Sequence, residues 1–293
     1  MLPAMNSAIR SAATVMVGAS LLLGPVAASA QATVDVENTY SNVGAIMVWR
    51  VDDSGKPVEL RGFASGTLIR PHVMITAGHF TAPVKALGEI PTTIRIFASF
   101  SPTDARDPGT WIPVIALATH PSMPHCPPPP QCDPTDDILV APLEPGIADV
   151  GLVFLERAPA NMKPAVLAAP GTLERSEGAR TTIVGYGTTS PRRALRLSED
   201  ALPWDGKRRV RSSTVRRIVD ETWGLWSIPS YVCSGDSGGG IFLNARSSRA
   251  AGRLVANVSD GGQDCRRHNN NNRLDTRAIQ KWIDDSVTAG GER

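Results

Sequence analysis

Past residue 43 the apolar residues come in short runs, each ended by Gly, Pro, Asn or Asp, at 43–51, 66–76, 93–100, 111–119, 150–155, 181–186, 239–243 and 253–258. Runs this short, bounded by turn formers, read as strands. No helical patterns alternate with them, so βαβ units are excluded and an all-β barrel or sandwich is expected. One helix is expected at the end: over 277–287, Ile279, Trp282, Ile283 and Val287 fall on one face at helical spacing. A chain of 293 residues has length for one large or two small domains with a substantial core.

The first 30 residues stand apart from that pattern. They carry one charge, Arg10, then an apolar run over 14–26, then Ala28-Ser29-Ala30. A basic start, an apolar stretch and a small-x-small site predict a secretory signal peptide cut after Ala30. The run is short and interrupted by Gly18, Gly24 and Pro25, which argues against a membrane anchor, and no later stretch is apolar enough to cross a bilayer. Losing Arg10 lowers the formal net charge of +2 by one unit. That balance predicts neither a nucleic-acid nor a membrane-surface partner.

The four cysteines, Cys126, Cys132, Cys233 and Cys265, fit a secreted or periplasmic location, with three pairings open. In CPPPPQC, Cys126 and Cys132 flank a stiff proline run, which reads as a stapled surface loop rather than a proline-recognition motif. His120 and His125 lie near these cysteines, but the proline-filled loop and exported location favour a disulfide over zinc. No metal and no cofactor are expected. Residues 191–217 hold nine Lys/Arg against three Asp/Glu, a composition typical of solvated loops and strand faces.

CSGDSGGG at 233–240 surrounds an Asp-Ser pair with glycines. A turn of this kind aims several backbone N–H groups at one point, which suits an oxyanion. A serine nucleophile needs a base, and the base an orienting acid. His79 stands in ITAGHF after a predicted strand, and Asp149 in DVGLVFLE at the mouth of another. His, Asp, Ser is one of the chain orders that builds such a triad. Asp136 and Asp137 before ILVAPLE mimic the acid motif less well, and His72, His120, His125 and His268 lack the TAGH context.

With GTLIRPHVMITAGH (66–79), HP (120–121), DVGLVFLE, VGYG (184–187), CSGDSGGG, VSDGGQDC (258–265) and LDTRAIQKWID (274–284) in this order, the chain resembles the chymotrypsin/trypsin-like serine proteases, in particular secreted bacterial-type members. The resemblance implies two six-stranded antiparallel β-barrels with a C-terminal helix. Residues 31–160 would form the barrel carrying His79 and Asp149, and 161–293 the barrel carrying Ser237. It implies a secreted endopeptidase acting as a monomer on protein or peptide substrates. Ser237 would be the nucleophile, His79 the base, Asp149 its orienting acid, and the N–H groups of Gly235 and Ser237 the oxyanion hole. Ser259 would support Asp149, Gly261 would pair with substrate backbone, and Tyr231, followed by Val232, would floor the primary pocket. Cys233 and Cys265 match a family disulfide beside that pocket.

The chain also departs from the family. Ala64 and Phe80 replace the usual disulfide of the histidine loop, so an apolar contact is expected there. Family zymogens are cut before an Ile-Val-Gly-Gly-like sequence, and the freed amine pairs with the aspartate beside the serine. No such site stands between Gln31 and His79, so either Asp236 finds another partner or the pocket forms without cleavage, and activity is expected once the signal peptide is gone. Tyr231 argues against a preference for Arg or Lys and, by filling space, suggests a small or apolar substrate residue. Arg266, Arg267, His268 and Arg273 near the far wall admit an acidic substrate residue, and Asp260 blurs the picture further. The alternatives are a binding protein on a dead protease fold, and an esterase, whose fold has a different triad order.

Overall fold

The computed structural model describes residues 32–85, 90–123, 147–189, 204–218, 225–229, 232–243, 252–261, 265 and 268–291. The described residues form fourteen strands and two α-helices. The first barrel comprises β2 (Val43–Val51), β3 (Pro57–Arg70), β4 (Val73–Thr76), β5 (Ile94–Ser99), β6 (Ile112–Thr119) and β7 (Gly151–Leu155). These close antiparallel in the order β2-β3-β4-β7-β6-β5, and β5 completes the ring against β2 at Ala45↔Ser99. The run 66–76, expected as one strand, is a hairpin: Leu68↔Met74 and Arg70↔Val73 pair across a turn at Pro71-His72. Proline has no N–H for the ladder, so the strand breaks there.

The second sheet has the order β1-β9-β8-β12-β13-β14-β11-β10. Its six central members are β8 (Arg180–Gly185), β9 (Arg209–Thr214), β11 (Leu225–Pro229), β12 (Gly240–Leu243), β13 (Arg253–Gly261) and β14 (His268–Arg273). Two-residue strands, β1 (Thr33–Val34) and β10 (Arg217–Ile218), flank them. Part of the basic stretch 191–217 is therefore β9, an integral strand.

Three apolar clusters hold this arrangement. Ile46, Leu68, Met74, Ile96 and Val153 fill the first barrel, and Ile183, Ile241, Val255 and Val258 the second sheet. The third joins Val43, Ile75, Val150 and Leu152 to Val184, Phe242, Leu254, Ile279 and Ile283, welding the two together. Each such side chain contributes about 1.5–3 kcal/mol on full burial. Ala64 and Phe80, both buried, share the first barrel's cluster, so the apolar packing expected there is present.

α1 (Gly78–Lys85) follows β4 directly, and α2 (Arg277–Gly291) ends the described chain. Although α2 follows the second sheet in sequence, it straps the first barrel. Trp282 packs edge-on against His120 at 5.1 Å, and Arg70 pairs with Asp284 at 2.8 Å.

Candidate active site

β4 runs into α1 so that His79 is set down at the junction of the two sheets, 8% exposed. Its backbone N–H donates to Asp149 Oδ1 at 2.6 Å, and its Nδ1 meets Asp149 Oδ2 at 2.8 Å. The second contact places the ring proton on Nδ1 and leaves Nε2 as the basic nitrogen.

Asp149, just before β7, is fully buried. The Ser259 hydroxyl donates to its Oδ2. Burial pushes its carboxyl upward, but attraction to the His79 ring and hydrogen bonds from His79 and Ser259 together hold it below the usual carboxylate range. The backbone of Asp149 is held as firmly. Its N–H donates to Asn272 Oδ1 at 3.0 Å, and Asn272 Nδ2 donates back to its carbonyl at 3.0 Å. Asn257 Nδ2 reaches the same carbonyl and that of Thr76, each at 3.4 Å. Two amides from the second sheet thus fix the acid of the first barrel.

Ser237 is half-buried in the turn between Cys233 and β12. Ser65, on β3, grips this turn on both sides. Its N–H donates to the Ser237 carbonyl at 2.8 Å and its hydroxyl to the Gly235 carbonyl at 2.7 Å. The Thr76 hydroxyl donates to the Ser65 carbonyl at 2.7 Å, which ties the serine turn to the strand that delivers His79. With their carbonyls drawn back, the N–H groups of Gly235 and Ser237 have no hydrogen-bond partner among the described residues, whereas those of Asp236, Gly238 and Gly239 are all bonded. Gly235 has φ +91°, and a Cβ there would lie 2.0 Å from the Phe63 ring. Only glycine fits. The buried carboxylate of Asp236 accepts from the Cys233 and Gly187 N–H groups at 2.8 Å and pairs with Arg211.

Cys233 and Cys265 form a disulfide. Gly261 ends β13, opposite Asn269 of β14. Tyr231, Cys126, Cys132, His125, Asp136 and Asp137 lie outside the described residues. Arg273 does not line a pocket as expected: it is fully buried, bonded to Asp275 at 2.8 Å and to Glu174 at 2.5 Å. His72 sits exposed on the β3–β4 turn, and His120 packs under α2. Ser65, Asn257, Asn272 and Arg211 are the site residues that sequence reasoning missed.

Two antiparallel β units meeting at a buried His–Asp pair, beside a serine turn with unbonded N–H groups, define the chymotrypsin-like fold. The trypsin family pattern matches residues 133–283, and the chain belongs to that family. No curated protein sequence matches it significantly. Solved structures similar to it include human heparin binding protein, at 15% identity and TM-score 0.55 over 88% of this chain and 96% of that one. HL collagenase is similar at 14% identity and TM-score 0.56, over 89% of this chain and 98% of that one. At such identities the likeness speaks for the fold.

Proposed function

We propose that the chain is a secreted serine endopeptidase that cleaves protein or peptide substrates through an acyl-enzyme. Ser237 Oγ attacks the scissile carbonyl while His79 Nε2 takes its proton. His79 then passes that proton to the leaving amine, and water reverses the sequence to free the acid product. Asp149 stays ionised, orients the ring and stabilises its positive form. The N–H groups of Gly235 and Ser237 receive the oxyanion, a donor of this kind being worth about 3–4 kcal/mol. The observation that carries this reading is the His79 Nδ1 to Asp149 Oδ2 contact of 2.8 Å on a fully buried carboxylate. Export with loss of residues 1–30 belongs to the same proposal, as does a pocket floored by Tyr231. Among the described residues no helix is long and apolar enough to cross a membrane.

The test is to incubate residues 31–293 and their Ser237→Ala variant with a diverse peptide library and read cleavage by mass spectrometry. Cleavage by the parent alone is the expected result, and its sites report what Tyr231 admits. A folded parent that cuts nothing favours the alternative of a protein that binds without cutting.

A further inference from the structure

Asp236 adjoins Ser237, and a carboxylate buried this deeply demands a counter-charge. It comes from β9. Arg211 Nη1 donates to Asp236 Oδ1 at 3.1 Å and Nη2 lies 3.0 Å from Oδ2, a two-pronged pair with both side chains buried. Among the described residues Arg211 is the one charged group bonded to Asp236. The space is made for it: a Cβ at Gly187 would fall 2.2 Å from Asp236 Oδ2. The pair fixes the carboxylate, which binds the Cys233 N–H and so sets the turn that carries Gly235 and Ser237.

The start of the described chain is engaged elsewhere. β1 pairs with β9 at Thr33↔Val210 and Val34↔Arg209. Asp35 then ties into buried Arg208 at 3.0 Å and accepts the Thr39 and Tyr40 N–H groups at 2.9 Å. This segment splints the strand that bears Arg211, along its edge, with residues 33–35 bonded to Arg208, Arg209 and Val210 rather than to Asp236.

We infer that Arg211 is a positioning residue, a built-in cation on β9 that holds Asp236 and with it the Gly235–Ser237 turn, so that the site assembles without a freed N-terminal amine. This rests on the proposed serine-hydrolase reading. It explains why Asp236 needs no Ile-Val-Gly-Gly-like cut.

The test uses the mature chain with a two-residue extension ahead of Gln31, an N-acetylated form, and the variants Arg211→Met and Arg211→Lys. Hydrolysis of the best library peptide is followed from pH 6 to 10. Extended and acetylated chains are expected within twofold of the parent. Arg211→Met is expected to lose at least a hundredfold in kcat, with a smaller change in KM and native circular dichroism. Arg211→Lys replaces a guanidinium that stays charged with an amine that titrates. It is expected to lose activity at alkaline pH at least tenfold more than the parent does, which a merely space-filling role would not produce.

A second readout is independent of catalysis: the rate at which a dithiol reduces Cys233–Cys265 in the folded protein, mapped by peptide. Arg211→Met is expected to speed it at least tenfold. Loss of activity on blocking the amine overturns the inference, as does an Arg211→Met protein with parental kcat or parental reduction rate. A parent that hydrolyses nothing sinks the serine-hydrolase reading instead, and the reduction rates still judge the latch.

Discussion

The two halves of the molecule are held together by different physics. In the first barrel β2 and β7 bury nearly every residue, and nearly all of those are apolar. Among the described residues the buried arginines are Arg208, Arg209, Arg211 and Arg273, all on or beside strands of the second sheet. Arg208 faces Asp35, Arg209 faces Asp205, Arg211 faces Asp236, and Arg273 faces Asp275 and Glu174. Apolar contact is non-directional and accepts many partners of the right volume. A guanidinium–carboxylate fork accepts one partner in one geometry. The first barrel supplies bulk cohesion, and the second fixes positions where the serine turn is built.

The largest way to break this contrast is Arg208→Ala, which strips Asp35 of its buried partner. A loss of about 3–5 kcal/mol is expected in urea unfolding. Because the Arg208 fork also reaches the carbonyls of Val43 and Phe100, Arg208→Lys should recover only part of it. Leu68→Ala in the first barrel should cost about 2–5 kcal/mol, whereas Leu68→Met should cost under about 1.5. If the lysine swap proves as mild as the methionine swap, the two halves do not differ as argued.

A smaller effect concerns pH. Burial under Trp282 lowers the pKa of His120, and its Nδ1 accepts the Ser122 N–H at 3.2 Å, so the ring is held neutral. Its contribution is complete above the unfolded value of roughly 6.5. As pH falls below that value the unfolded chain takes up the proton first, and stability declines until the folded value is passed. Melting temperatures at pH 7.5 and 5 should therefore differ less in His120→Gln than in the parent. The smallest effect belongs to exposed Arg50–Glu59 at 2.7 Å. Arg50→Ala should change unfolding by under about 1 kcal/mol, and less still in high salt.

The same contrast explains what the sequence discloses. β2, β5, β6 and β7 are visible because their inward positions are Val, Ile, Leu and Ala. β9 reads RVRSST and β14 HNNNNR, so no hydrophobic alternation marks either. α1 hides because it is eight residues long and contains Pro83. At the site, His79, Asp149, Ser237 and Ser259 stand in recognisable surroundings. Asn272 bonds Asp149 across 123 residues and Arg211 bonds Asp236 across 25, on strands with no apolar signature. Ser65 works through its hydroxyl as well as its backbone, but it reaches Gly235 across 170 residues from inside a β3 run with no motif around it, and so it left no mark.

The strap formed by α2 has a consequence for how the protein is made. Ile279 and Ile283 seal the cluster between the halves, and Trp282 caps His120, yet these residues leave the ribosome after every other described element. A growing chain can hold His79, Asp149 and Ser237 and still lack the piece that clamps them together. Closure of the cluster between the halves therefore waits for α2, the last of the described elements to be made.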